Sequence, residues 1–186
     1  MQHREQGGTR GHSDRELRMH IYLYTVCNFF SQMSSSKASA GPVRVVAQRV
    51  NGAELKAVGS IQRGLVVFVS FNTSLGEDST VAASACEKAA RAILAVPLLS
   101  MGEWGDGSKP EGFLKLVAKR GDDALGVLVV PQANLHAKRK GTGALSYRAQ
   151  LAKDAARGAY AAFCHGLRAA LFEAASAGSG GKVKAP

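Results

Sequence analysis

Val127 to Leu135 reads V-L-V-V-P-Q-A-N-L, and His136 to Gly143 continues it as H-A-K-R-K-G-T-G. A continuous apolar run of strand formers ends in a proline, a side-chain amide and a small residue, and the chain then turns into a cationic, glycine-punctuated loop. Pro131 has no N–H and a fixed φ, so it ends the strand without offering another donor. The pattern predicts a buried strand that delivers polar atoms beside a phosphate-attracting surface. That layout suits a site acting on a nucleic-acid end.

Elements that can pack with this strand lie on both sides of it. Val43 to Val50, V-R-V-V-A-Q-R-V, alternates as a half-buried strand does; Asn51-Gly52 marks a turn, and Glu54 to Val58 reads as its hairpin partner. Ser60 to Gly64 turns again, and Leu65 to Phe71 is apolar enough to be a central strand. Asp78 or Ser79 is the expected cap of a helix whose stripe is Val81, Ala85, Lys88, Ala89, Ala92 and Ile93, and which stops before Pro97. Leu98-Leu99 reads as a short strand, residues 102–112 as an exposed loop pinned by Trp104, and Phe113 to Val117 as an extended segment or a turn of helix. A long Ala-rich helix over Lys153 to Ala175 carries Ala156, Tyr160, Phe163, Leu167, Ala170 and Leu171 on one stripe.

The chain of 186 residues has material for one compact domain, expected over residues 41–175, with a flexible extension over 1–40 and a flexible tail over 176–186. The extension starts polar and basic, has an aromatic-rich apolar patch from Ile21 to Phe30 and ends Ser/Ala-rich. Acidic residues among its arginines, and no small-residue cleavage site after the patch, argue against a secretory signal. Glu5, Asp14 and Glu16 weaken a mitochondrial presequence, and Met33 is an alternative start. No apolar run reaches the roughly 18 to 20 residues that span a bilayer, so no membrane partner is expected. The expected location is cytoplasmic, or mitochondrial if the extension acts as a presequence.

A formal net charge of +10 favours a polyanionic partner, because each phosphate neutralised releases condensed counterions. RNA, DNA and acidic membranes all satisfy that, and excess charge on the termini is the competing explanation. Lys138-Arg139-Lys140, inside the folded region, argues for a bound partner. Cys27, Cys86 and Cys164 form no C-x-x-C pair and lie near no histidine at ligand spacing, so free thiols are expected and neither a disulfide framework nor a metal site. Gly105 to Lys109 lacks the full phosphate-loop spacing, and no H-E-x-x-H or G-x-S-x-G occurs. No cofactor is expected.

Three segments in register, V-R-V-V-A-Q-R-V, Gly59-Ser-Ile-Gln-Arg-Gly-Leu-Val-Val-Phe-Val69 and V-V-P-Q-A-N-L, resemble the D-aminoacyl-tRNA deacylase (D-tyrosyl-tRNA deacylase) family over about Val43 to Glu173. Pro131-Gln132-Ala133 is most similar to the animalia-specific tRNA deacylase branch, which carries P-Q-A-T, with Asn134 replacing the threonine. The resemblance implies an α/β (α+β) fold with a curved mixed sheet or barrel, helices packed outside, and a homodimer. It implies hydrolysis of the ester of mischarged D-aminoacyl- or L-alanyl-tRNA, with aminoacyl-tRNA as partner; a tRNA-binding protein of impaired catalysis is the alternative.

By the same resemblance Ala133 and Asn134 supply catalytic backbone N–H groups, Gln132 orients the terminal ribose or the carbonyl, and Arg49 supports the site wall. Pro131 and Tyr147 contact substrate, Tyr147 by stacking on the terminal adenine or lining the pocket, with a core aromatic as its other reading. Lys138, Arg139 and Lys140 bind acceptor-stem phosphates. The family's Gly-Pro element, which screens chirality from the partner subunit, has no counterpart in this sequence, so loss of chiral screening or of full activity is expected.

Overall fold

The computed structural model describes residues 41–178, except 57, 77, 101, 103–106 and 121–124. Expectations for the N-terminal extension, Trp104 and residues 179–186 fall outside the described residues. Three strands form the main sheet: β1 (Val43–Val50), β4 (Gly64–Phe71) and β7 (Gly126–Pro131), in the order β1-β4-β7. β1 runs antiparallel to β4, from Val43 opposite Phe71 to Val50 opposite Gly64; β4 and β7 run parallel, from Gly64 opposite Gly126 to Val69 opposite Pro131. β4 is central because nearly every residue on it is apolar and buried on both faces.

Short elements complete the fold: the hairpin β2 (Ala53–Leu55) with β3 (Gly59–Ile61), and the pair β5 (Pro97–Leu99) with β6 (Glu111–Gly112). A two-stranded ribbon, β8 (Lys138–Arg139) and β9 (Leu145–Ser146), follows β7. Helices α1 (Ser79–Ala95), α2 (Phe113–Arg120) and α3 (Lys153–Gly178) pack as a layer, α1 and α2 both against α3. Asp78 caps α1 by accepting from the N–H groups of Thr80 and Val81 at 2.8 and 3.2 Å. A mixed sheet with helices packed on it is thus present; a closed barrel is not found among the described residues.

Alternation splits the sheet into two faces. Leu65, Val67, Val69 and Phe71 of β4 join Ala47, Val127 and Val129 against Cys86, Ala90, Leu94, Phe163 and Leu167 of the helices. Phe71 and Phe163 meet edge to face with centroids 6.5 Å apart, and Tyr160 Oη donates to Val129 O at 3.1 Å, tying α3 to β7. Gly166 lets α3 approach closely, since a Cβ there would lie 2.8 Å from Glu87 Cα. On the other face Val50, Val66 and Leu128 form a smaller cluster under the β2–β3 hairpin.

Three sequence expectations are corrected. β2 pairs with β3 and not with β1: segments three residues long cannot cover an eight-residue strand, and the apolar β4 takes that place. Gly59 to Ile61 is accordingly a strand within the span read as a turn. Of the stripe expected on α1, Ile93 is buried and Ala85 and Ala89 pack against the core, but Val81 is 61% exposed, Lys88 lies in solvent, and the fully buried side also takes in Cys86, Ala90 and Leu94. An Ala-rich helix has little apolar contrast, so its stripe is easily misread by one residue, about 100° of rotation. Of the stripe expected on α3, Tyr160, Phe163, Leu167, Ala170 and Leu171 face the core while Ala156 does not join it, and α3 continues to Gly178.

Candidate active site at the end of β7

β7 stops where the sequence pattern ends it. Gln132 N–H donates to Val69 O at 2.8 Å, the final bond to β4, and Ala133–His136 then forms one turn of 3-10 helix. Leu135 N–H to Gln132 O and Ala137 N–H to Asn134 O close that turn. The first N–H groups of a helical turn have no partner within it. Gln132 gives no side-chain cap, and no group among the described residues accepts from the N–H of Ala133 or Asn134. Both residues are exposed, so two adjacent backbone donors stand open at the end of β7, which is half-buried with only Leu128 fully covered and not the buried strand expected, because it pairs on one side alone.

The turn's carbonyls are treated differently. Ala133 O accepts from Gln150 Nε2 at 2.8 Å and Ser70 Oγ at 3.3 Å, and Leu135 O accepts from Arg44 Nη1 at 2.6 Å. Arg44 and Ser70 are direct partners across β1 and β4, so the register alone sets them side by side beneath the turn. His136 is buried, and its Nε2 lies 3.2 Å from Ser70 O; a carbonyl can only accept, so that nitrogen carries the proton.

Of the residues singled out in the sequence, Pro131, Gln132, Ala133 and Asn134 are contiguous here, with Pro131 exposed and Gln132 half-buried. Lys138 and Arg139 follow on the exposed β8, Lys140 begins the β8–β9 turn, and Tyr147, just after β9, is 43% exposed. Arg49 is not at this end. It lies opposite Leu65, itself opposite Val127, whereas Pro131 is level with Val45; four residues of strand separate them, about 13 Å. Arg49 Nη1 instead donates to Ser100 Oγ at 3.1 Å, while Arg63 Nη2 donates to the carbonyls of Ser100 and Gly102 at 2.6 and 2.8 Å.

Sequence reasoning missed Arg44, Ser70, His136 and Gln150. Two of them did leave a signal: Ser70 interrupts the apolar run V-V-F-V-S-F, and His136 is a lone titratable group directly after P-Q-A-N-L. The described residues contain no cluster able to hold a metal ion, and none of their helices is long and apolar enough to cross a membrane. A cavity of about 530 Å³ lies elsewhere, at the starts of α1 and α3, lined mainly by alanine and glycine and without a titratable side chain.

A family model described as D-Tyr-tRNA(Tyr) deacylase matches residues 36–183. The chain belongs to that family. As a D-Tyr-tRNA deacylase family member it is a hydrolase acting on aminoacyl-tRNA. A solved structure described as a probable eukaryotic D-amino acid tRNA deacylase has the same fold, with a TM-score of 0.55 and 23% identity over 70% of this chain and 69% of that one. No curated protein matches the chain.

Within this deacylase fold, burial holds the His136 imidazole below its ordinary value of 6.5; the bond to Ser70 O opposes that and the Arg44 charge adds to it. The folded state therefore refuses a proton that the unfolded chain accepts. The stability contribution is present above pH 6.5 and is lost as pH falls from 6.5 through the lower folded value. Urea midpoints measured from pH 7.5 to 5 are expected to fall in the unsubstituted chain and to fall less steeply in His136→Gln. Equal slopes would show that His136 does not govern this window. The exposed carboxyls are set apart from it: Asp78 is lowered by the N–H groups of Val81 and Thr80, Glu111 by Lys119 and Lys115, and Glu173 by Arg91, so their contributions fade only below their ordinary values of 3.8 and 4.5.

Proposed function

We propose that this chain clears mischarged tRNA at a site whose oxyanion donors are backbone groups, in which the Ala133 and Asn134 N–H groups hold the carbonyl oxygen of the aminoacyl ester. The observation that carries this reading is the pair of unclaimed donors at the end of β7. An aminoacyl ester is already activated, so fixed donors for the developing oxyanion and a positioned water supply much of the acceleration. Water attacks the carbonyl carbon, the charge on oxygen is held by the two donors, and the intermediate collapses with cleavage of the bond to the ribose oxygen. The water's proton ends on that ribose oxygen, with the neighbouring ribose hydroxyl assisting. Gln132 orients the ribose or the carbonyl, and Pro131 leaves the strand end without a competing donor.

The threonine hydroxyl of the similar branch is absent at Asn134, which a mechanism built on backbone donors tolerates. Lys138, Arg139 and Lys140 take acceptor-stem phosphates, and the exposed Tyr147 offers a face to the terminal adenine. Arg49 acts at a distance, by holding Ser100 on the flank of the sheet. The homodimer uses the face of the sheet that carries the half-buried Val46, Phe68 and Val130, between the β2–β3 hairpin and the 133–136 turn. The substrate class is a small or D-configured amino acid on tRNA, L-alanine included, because backbone donors bind the ester carbonyl without contacting the side chain.

A panel of tRNAs charged with glycine, L-alanine, D-alanine and D-tyrosine tests this. Release of amino acid at sub-stoichiometric protein from any of them supports the enzyme, and the pattern of rates assigns the substrate. Saturable binding with no release from all four favours the binding protein. Replacing Lys138, Arg139 and Lys140 together by alanine is expected to weaken tRNA binding and to flatten the log K against log salt slope by about 2 to 3, since up to three phosphate contacts are lost. An unchanged slope would make the β8–β9 ribbon a solvated surface.

A further inference from the structure

We propose that Ser70, His136 and Gln150 are positioning residues of the deacylase site, fastening the carbonyl side of the 133–136 turn so that its two free N–H groups keep one orientation toward the reacting carbonyl. The proposal rests on the reading of those N–H groups as oxyanion donors. Three observations lead to it. First, the turn is closed by its own two backbone bonds and needs no outside partner, yet Ala133 O is held by two side chains from distant segments. Ala133 is exposed, so water would satisfy its carbonyl at little cost.

Second, the donors trace back to one place. Ser70 lies on β4, and Gln150 is anchored to the end of that strand and the residues just after it: Asn72 bridges to Gln150, Thr73 N–H donates to Ala149 O, and Leu151 N–H donates to Phe71 O. The His136 ring closes the circuit from the turn back to Ser70 O. Third, Ser70 and His136 are each only 2% exposed. Burying a hydroxyl and an imidazole is unfavourable unless each is hydrogen-bonded, and what a satisfied polar network adds over apolar packing is a single geometry. Fixed donors are what an oxyanion site requires, because donors that must reorganise during the reaction lose most of their effect.

The test uses the full chain and the charged tRNA that it turns over. Ser70→Ala and His136→Leu are expected to lower kcat by about 10- to 100-fold with KM within about twofold, the range for loss of groups that orient a reacting site. His136→Gln keeps an N–H within reach of Ser70 O and is expected to retain most of kcat. In an Ala133→Pro background, where one of the held donors is already gone, the cost of Ser70→Ala should shrink at least threefold. A fall in melting temperature with kcat unchanged, or an equal cost in both backgrounds, would overturn the proposal and leave a structural lock.

A second measurement does not need turnover, and it separates this proposal from the reading beneath it. Backbone order parameters of the Ala133 and Asn134 amides should be about 0.85 in the unsubstituted chain and fall below about 0.6 in Ser70→Ala and Gln150→Ala. Values that stay high in both variants would overturn the clamp even in an active enzyme. Rigid amides in a chain that hydrolyses no charged tRNA would overturn the deacylase reading while upholding the clamp.

Discussion

Ala133→Pro is expected to lower kcat by about 100- to 1,000-fold while leaving the fold and tRNA affinity nearly unchanged. The substitution removes one N–H and little else. Ala133 is the first residue of a 3-10 turn, a position where proline's fixed φ fits and the missing N–H costs no internal bond. The residue before it, Gln132, has φ −135° and ψ 89°, outside the helical region that a following proline disfavours. The site of the new ring is exposed, so no core packing is disturbed. Steady-state kinetics on a hydrolysed aminoacyl-tRNA, with a melting curve as control, reads the effect. A kcat within threefold of the unsubstituted chain would remove the Ala133 N–H from the mechanism.

Gly64→Val should cost about 3 kcal/mol or more, a large share of the roughly 5 to 15 kcal/mol that holds a domain together. Gly64 and Gly126 face each other on the first rung of the parallel β4–β7 ladder. A Cβ on Gly64 would fall on the backbone carbonyl of Gly126, and one on Gly126 would come within 2.7 Å of the Ile61 side chain. At Gly64 the obstacle is backbone, which cannot rotate away. The same rung sets the register that brings Pro131 beside Val69, and a slip of one residue would turn every β7 side chain to the other face. Urea denaturation measures the loss; Gly141→Ala, where an added Cβ meets nothing within 4 Å, is the control and should stay within about 0.5 kcal/mol. A loss under 1 kcal/mol for Gly64→Val would mean that β7 can shift without consequence.

The frame of this fold was readable where a run of residues carried its own signal. β4 and β7 are nearly all apolar, β1 alternates, Asp78 precedes Ser79 and Thr80 at the head of a helical stretch, and Phe163, Leu167 and Ala170 recur at helical spacing with larger side chains than the alanines around them. The β2–β3 hairpin was not readable, since a turn signal at Asn51-Gly52 says that the chain reverses and not which segment it pairs with. The buried side of α1 was only partly legible, Ile93, Ala85 and Ala89 but not Cys86, Ala90 and Leu94, because alanine is nearly indifferent to burial.

The site divides the same way. P-Q-A-N marks the strand end in the sequence itself, and the basic ribbon follows by adjacency. Arg44, Ser70 and Gln150 reach the turn only through strand register and through the return of the chain after Tyr147, relationships spanning 91, 63 and 17 positions that a linear pattern does not encode. Arg49 shows the converse: its strand was correctly recognised, but its place along that strand sets it about 13 Å from the turn.

If the open N–H groups after β7 make this chain a catalyst of ester hydrolysis on tRNA, D-tyrosyl-tRNA is the substrate that shows it most directly. With tRNA in roughly hundredfold excess over protein and no metal or cofactor added, the chain is expected to release D-tyrosine well beyond one equivalent, and Ala133→Pro to slow that release at least about a hundredfold. Tight binding of the charged tRNA with its ester left intact, or turnover indifferent to Ala133→Pro, would contradict it.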